Sequence, residues 1–284
     1  MPETPTFERV GSAWVARNPA NRGVIEFYGG AIFERCPTLF YEEYLEGLFQ
    51  GGYNIVAFTF PISFNHTKVA EGLVQPRKDV FAQLSFPVSA PDYPHFWVGH
   101  SIGCKIISLV QILITQSATE NAQQPTLLLA PDISGTKAAV PGPLAAILDW
   151  LGLGVKPTEP QTKAIITQNP DILSVAGLIS FADDSIAGNA DGTLPKGGNG
   201  SVEWFIDTLS GKDDGGSIPF FTHAQLLGKH LAPLGYDFEF RIAALLSGAK
   251  RRAFGRRFEA TSKADAIAET SVAILEQLRL HIPQ

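Results

Sequence analysis

The chain has 284 residues, of which 45% are apolar and 18% charged. That balance supplies a substantial core and excludes a disordered chain or a coiled coil. Lys+Arg 22 against Asp+Glu 28 leaves a net charge of −6, a poor electrostatic match for nucleic acid.

Residues 6–16 read as one or two antiparallel strands at a sheet edge. Residues 23–28 (GVIEFY) form the first buried strand, followed by Gly29-Gly30. Apolar positions at helical spacing predict a helix over 38–49, ended by Gly51-Gly52. Residues 54–60 (NIVAFTF) form a second buried strand, and 67–84 a helix that Pro76 should break or bend. A third strand, 95–98 (HFWV), runs through Gly99 into a helix over 102–115. Further strands are expected at 126–130, 174–181 and 222–227, with a helix at 202–209 and a closing helix at 264–280.

This alternation predicts one α/β domain, a mostly parallel sheet with right-handed crossovers and helices on both faces. Two segments interrupt it. Residues 132–171 separate two strands by about 40 residues, and so long an excursion is expected to be a lid or cap. It contains an apolar helical stretch, 144–151, with Asp149 and Trp150. Residues 188–201 are a Gly-rich loop without the Lys-Ser/Thr ending of a phosphate-binding loop.

Two cysteines, Cys36 and Cys104, make no disulfide framework, and a reduced compartment is expected. The first ten residues carry no secretory signal pattern, and no apolar run reaches the length of a membrane span. A cytoplasmic location follows as an expectation. Lys250, Arg251, Arg252, Arg256 and Arg257 form one basic cluster, read as a solvated face, with a patch for phosphate or anionic lipid head groups as the alternative. There is no H-E-x-x-H, no C-x-x-C and no G-x-G-x-x-G after a strand, so neither a metal nor a dinucleotide cofactor is expected.

The sharpest signal is Gly99-His100-Ser101-Ile102-Gly103, a G-x-S-x-G between an apolar strand and a helix. In a nucleophile elbow the glycines allow a tight turn that exposes the serine at the start of a helix, where N–H groups favour negative charge. Ser101 is therefore the candidate nucleophile. An acid and a histidine should follow in chain order. Asp184 is preferred as the acid, after the strand that ends at Phe181; Asp183 and Asp132 are the alternatives. His230, in Gly228-Lys229-His230-Leu231 after the last strand, is selected among six histidines by position. His66 and His95 precede the serine, His100 lies inside the elbow, His223 falls within a strand, and His281 is terminal. The oxyanion hole is assigned to the N–H of Ile102 and an N–H of Gly30 or Ala31.

With these segments the sequence resembles the α/β-hydrolase superfamily. More narrowly, it resembles the domain-of-unknown-function family 1350 of cyanobacteria and plastids. The similar stretches are FYGGAIFERCP (27–37), GYNIVAFTFPISFNH (52–66), VGHSIGCKI (98–106), FADDSIAGN (181–189) and GKHLAPLG (228–235). The resemblance implies an α/β-hydrolase fold with Ser101, Asp184 and His230 in the nucleophile, acid and base positions, in a cyanobacterial cytosol or plastid stroma. The expected activity is cleavage of an acyl ester or thioester, with a lipophilic acyl substrate favoured by the lid. A non-catalytic protein of the same fold, binding a lipid, pigment or protein partner, is the alternative.

Overall fold

Eight strands form one sheet in the computed structural model, which describes residues 4–30, 33–88, 93–117, 124–134, 154–192, 199–211, 220–235 and 261–282. They are β1 (Glu8–Val10), β2 (Ala13–Ala16), β3 (Val24–Tyr28), β4 (Asn54–Phe58), β5 (His95–His100), β6 (Thr126–Leu129), β7 (Val175–Phe181) and β8 (Phe220–Leu226). The order is β1-β2-β4-β3-β5-β6-β7-β8. β1 and β2 are antiparallel at one edge, as the sequence predicts, and β4 through β8 with β3 are parallel.

Every residue of β3, β4, β5, β6 and β7 is buried, because helices cover both faces. Alternation along each strand sends side chains to opposite layers. On one face Val24, Tyr28, Val56, Phe58 and Trp97 pack under α3 (His66–Leu84) and α4 (Ile102–Gln116). On the other, Ile25, Phe27, Ile55 and Phe96 meet α2 (Glu42–Gln50) and the C-terminal helix α7 (Thr261–Arg279). Beyond α4, Leu128 and Leu178 pack with α5 (Glu159–Thr167) and α6 (Ser201–Leu209).

Two helices differ from the sequence reading. The one expected over 38–49 is divided at Tyr41 (φ −108°, ψ 23°), into α1 (Pro37–Phe40) and α2. The one expected to break or bend near Pro76 is continuous from His66 to Leu84. Burial of Val69, Leu73, Val80 and Leu84 against the sheet offsets the hydrogen bond the proline cannot donate.

The next residue, Arg77, anchors α3 to the sheet. Its Nε donates to both oxygens of Glu26 on β3 at 2.7 and 3.0 Å, and Glu26 also takes hydrogen bonds from Tyr28 at 2.7 Å and His95 at 2.8 Å. The Arg77 guanidinium lies 4.6 Å from the Trp97 ring centre. Burial by itself would raise the Glu26 carboxyl; Arg77 and His95 outweigh it and hold it below the usual range. Arg77→Met should therefore cost about 3–5 kcal/mol, because Glu26 stays buried without its cation. The check is the denaturant midpoint at pH 7, where an unchanged value would remove this network from the account of stability.

Of the long excursion, the described ends belong to the body of the domain. Asp132, Ile133 and Ser134 are buried beyond β6. The returning chain pairs Lys156 with Asn65, and the buried Lys105 Nζ donates to the Pro157 carbonyl at 2.7 Å. Thr158 and Gln161 then form a capping box that starts α5, a helix the sequence reading left inside the lid. The apolar stretch 144–151, the basic cluster at 250–257 and Ala31 lie outside the described residues.

Candidate active site

β5 ends at His100, and the chain reverses through Ser101 into α4. Ser101 has φ +57° and ψ −125°, a strained conformation for a residue with a side chain. Its N–H donates to Leu129 O at 2.9 Å, and its carbonyl accepts from Cys104 at 3.1 Å and Asp132 at 3.2 Å. Close packing explains the glycines. A Cβ at Gly99 would lie 2.9 Å from the Cys104 nitrogen, and one at Gly103 would collide with the Tyr28 carbonyl oxygen. The motif therefore lets α4 press against the ends of β3 and β5.

Three side chains separated in sequence meet at this rim. Ser101 Oγ lies 2.7 Å from His230 Nε2, and His230 Nδ1 lies 2.9 Å from Asp184 Oδ2. Asp184 is fully buried, and its Oδ1 accepts N–H groups from Ile186 at 2.8 Å and Ala187 at 2.9 Å. With Oδ2 accepting the Nδ1–H, the free lone pair at Nε2 faces the serine hydroxyl. Such an arrangement can take a proton from a hydroxyl attacking a carbonyl and return it to a leaving group.

The alternative acids stand elsewhere. Asp183 is exposed. Asp132 Oδ1 accepts from the Ser134 N–H at 2.8 Å and from Asn199 Nδ2 at 2.9 Å, so it orders the turn after β6.

The oxyanion donors divide. Ile102 is the first residue of α4, so its N–H has no acceptor within the helix and opens beside Ser101. Gly30 does come close to Ser101, where a Cβ would sit 3.0 Å from the serine Cβ. Its N–H, however, donates to the Tyr41 hydroxyl at 2.7 Å. That commitment removes Gly30 as an open donor and leaves Ala31 as the remaining candidate from this loop. Sequence reading missed Tyr41, which sits among the apolar positions of an expected helix. It also left His100 without a partner; the ring is fully buried, 2.7 Å from the Tyr41 hydroxyl and 2.9 Å from the His230 carbonyl.

Beside this loop, Glu34 is fully buried, and neither carboxyl oxygen has a hydrogen-bond partner among the described residues. Burial pushes its pKa up to about 8, against smaller opposing effects of its own backbone N–H and the Arg35 charge. A raised carboxyl favours the protonated folded state, so its contribution is lost as pH rises from about 4.5 to 8. Buried imidazoles act at the acid end. Burial brings His100 down to about 3 and His66 to about 4, so their contributions are lost as pH falls below about 6.5. Between pH 6.5 and 8 Glu34→Gln should therefore remove about 1–2 kcal/mol of alkaline destabilisation. Thermal unfolding of both proteins across that window tests it, and parallel curves would contradict the assignment.

Among the described residues no cluster of three His, Cys, Asp or Glu side chains is arranged to hold a metal ion. No helix among them is long and apolar enough to cross a membrane.

Residues 6–194 match the family described as "Protein of unknown function (DUF1350)". A search of curated proteins gave no match. Solved structures share the fold at low identity. Fungal esterases from Rhizomucor miehei give a TM-score of 0.57 at 13% identity, over 99% of this chain and 85% of theirs. An esterase of Pyrococcus furiosus, PF2001, gives 0.55 at 13%, over 96% and 91%. The Francisella virulence factor BioJ gives 0.55 at 11%, over 98% and 86%. The fold is the α/β-hydrolase fold, with a mostly parallel eight-stranded sheet.

Proposed function

The chain belongs to the DUF1350 family and has the α/β-hydrolase fold, and from its site we propose that it is a serine hydrolase cleaving an acyl ester or thioester. The observation that carries this reading is the continuous contact of Ser101 Oγ, His230 and Asp184, at 2.7 and 2.9 Å, on a serine with positive φ. Esterases among the solved structures of the same fold agree with it.

In the first half-reaction Ser101 Oγ bonds to the acyl carbon as its proton passes to His230 Nε2. Asp184 holds the Nδ1–H and stabilises the imidazolium. The N–H groups of Ile102 and Ala31 bind the oxyanion. As the carbonyl re-forms, the bond to the leaving oxygen or sulfur breaks, and His230 gives that atom its proton. Water, deprotonated by the same imidazole, then releases the acid and regenerates the serine.

The acyl group in this reading is lipophilic. Exposed apolar side chains sit on three of the loops leaving the C-terminal ends of the strands. They are Ile62 and Phe64 beyond β4, Ile186 two residues after Asp184, and Leu227 three residues before His230. A fluorophosphonate probe should label Ser101 in the wild type and leave Ser101→Ala unlabelled. A series of acyl esters from acetyl to palmitoyl should then give rising kcat/KM with chain length. Folded protein that neither labels nor cleaves any ester would favour a binding protein instead, and strict preference for acetyl esters would overturn the lipophilic assignment.

A further inference from the structure

We propose that Tyr41 and His100 are positioning residues, a buried relay that ties the loop after β3 to the segment bearing His230; this rests on the serine-hydrolase reading above.

The protons in this relay can be placed by elimination. The His230 carbonyl can only accept, so His100 Nε2, 2.9 Å away, carries a hydrogen. His100 is fully buried and neutral, since burial and the neighbouring His230 oppose a positive charge there. A neutral imidazole protonated at Nε2 has a bare Nδ1, which must accept. The Tyr41 hydroxyl, 2.7 Å from Nδ1, therefore donates to it. Its remaining lone pairs accept the Gly30 N–H at 2.7 Å. The order is Gly30 N–H to Tyr41 oxygen, Tyr41 O–H to His100 Nδ1, and His100 Nε2–H to the His230 carbonyl. Each bond has one direction, and reversing the middle bond would set two acceptors against each other at the far end.

Beyond the pairing of β3 with β5 in the sheet, the relay joins three segments at the rim by side-chain hydrogen bonds. Gly30 lies in the loop assigned to the oxyanion, His100 is the last residue of β5 beside the nucleophile, and His230 follows β8. Tyr41 reaches the chain because the helix is divided at that residue. The His100 and His230 rings also stand 5.2 Å apart, so a shift of one displaces the other. A misplacement of about 1 Å at such a centre costs about 100-fold in rate.

The experiment is the kinetics of fluorophosphonate labelling of Ser101, resolved into the maximal inactivation rate and the probe concentration at half-maximum. Tyr41→Phe deletes one oxygen and should lower the maximal rate by about 10- to 100-fold at an unchanged half-maximal concentration. His100→Leu should do the same. His100→Gln keeps an acceptor and a donor at similar spacing and should stay within a few-fold of wild type. A merely structural role would lower the melting temperature yet leave the folded fraction labelling at the wild-type rate, and that result overturns the relay. If His100→Leu does not fold, the pair Tyr41→Phe and His100→Gln decides: equal rates overturn the proposal. Failure of the wild type to label at all overturns the hydrolase reading itself, which separates the two outcomes.

Discussion

Ser101→Ala and His230→Ala should each lower kcat on the best acyl ester by about 10⁶, and the double variant should be no slower than either single one. The expectation follows from a shared step. Ser101 is a useful nucleophile only when His230 Nε2, 2.7 Å away, removes its proton, so losing either partner loses the whole acyl-enzyme route. What survives is binding and oxyanion stabilisation by backbone groups that neither change touches. The measurement is kcat on a double-mutant cycle, with circular dichroism to establish the fold. Additive losses would mean that the two residues act independently. A His230→Ala protein with near wild-type turnover would mean that some other base takes the Ser101 proton.

Asp184→Asn should lower kcat by about 10⁴ with little change in KM, while Asp132→Asn and Asp183→Asn stay within a few-fold of wild type. Asparagine preserves the shape of the buried acid and can still accept from Ile186 and Ala187. It can also present an amide N–H to His230 Nδ1, which favours the tautomer with its hydrogen on Nε2, facing Ser101. That tautomer cannot take the serine proton. Asp132 is buried close by, but its Oδ1 is held by Ser134 and Asn199 in the turn after β6. Should Asp132→Asn carry the large loss instead, the acid would belong to the strand before, and the contact of Asp184 with His230 would be structural.

Much of the architecture was legible because burial and topology leave a local record. Short, largely apolar runs at 23–28, 54–60, 95–98 and 174–181 mark strands covered on both faces, and the chain order of parallel strands limits where an acid and a histidine can follow a serine. The glycines around Ser101 were readable for a similar reason, since only the absence of a side chain permits the contact of Gly103 with the Tyr28 carbonyl. The capping box at Thr158 and Gln161 was also present in the sequence as a Thr-x-x-Gln, and the length of the excursion around it obscured the helix it begins.

The sequence by itself determined the alternation of strands and helices, the elbow at Ser101 and the candidate partners Asp184 and His230. These depend on periodicity, on glycine sterics and on the order of segments along the chain. Only the tertiary structure decided which polar atoms answer one another. It divided a helix at Tyr41, carried α3 through Pro76 to seat Arg77 on Glu26, and turned His100 from an incidental residue of the elbow into a contact of the His230 backbone. It also committed the Gly30 N–H to Tyr41, which no local pattern foretells. Hydrogen-bond partners 50 to 130 residues apart are matched by distance and lone-pair direction, and a linear pattern of hydrophobicity carries neither.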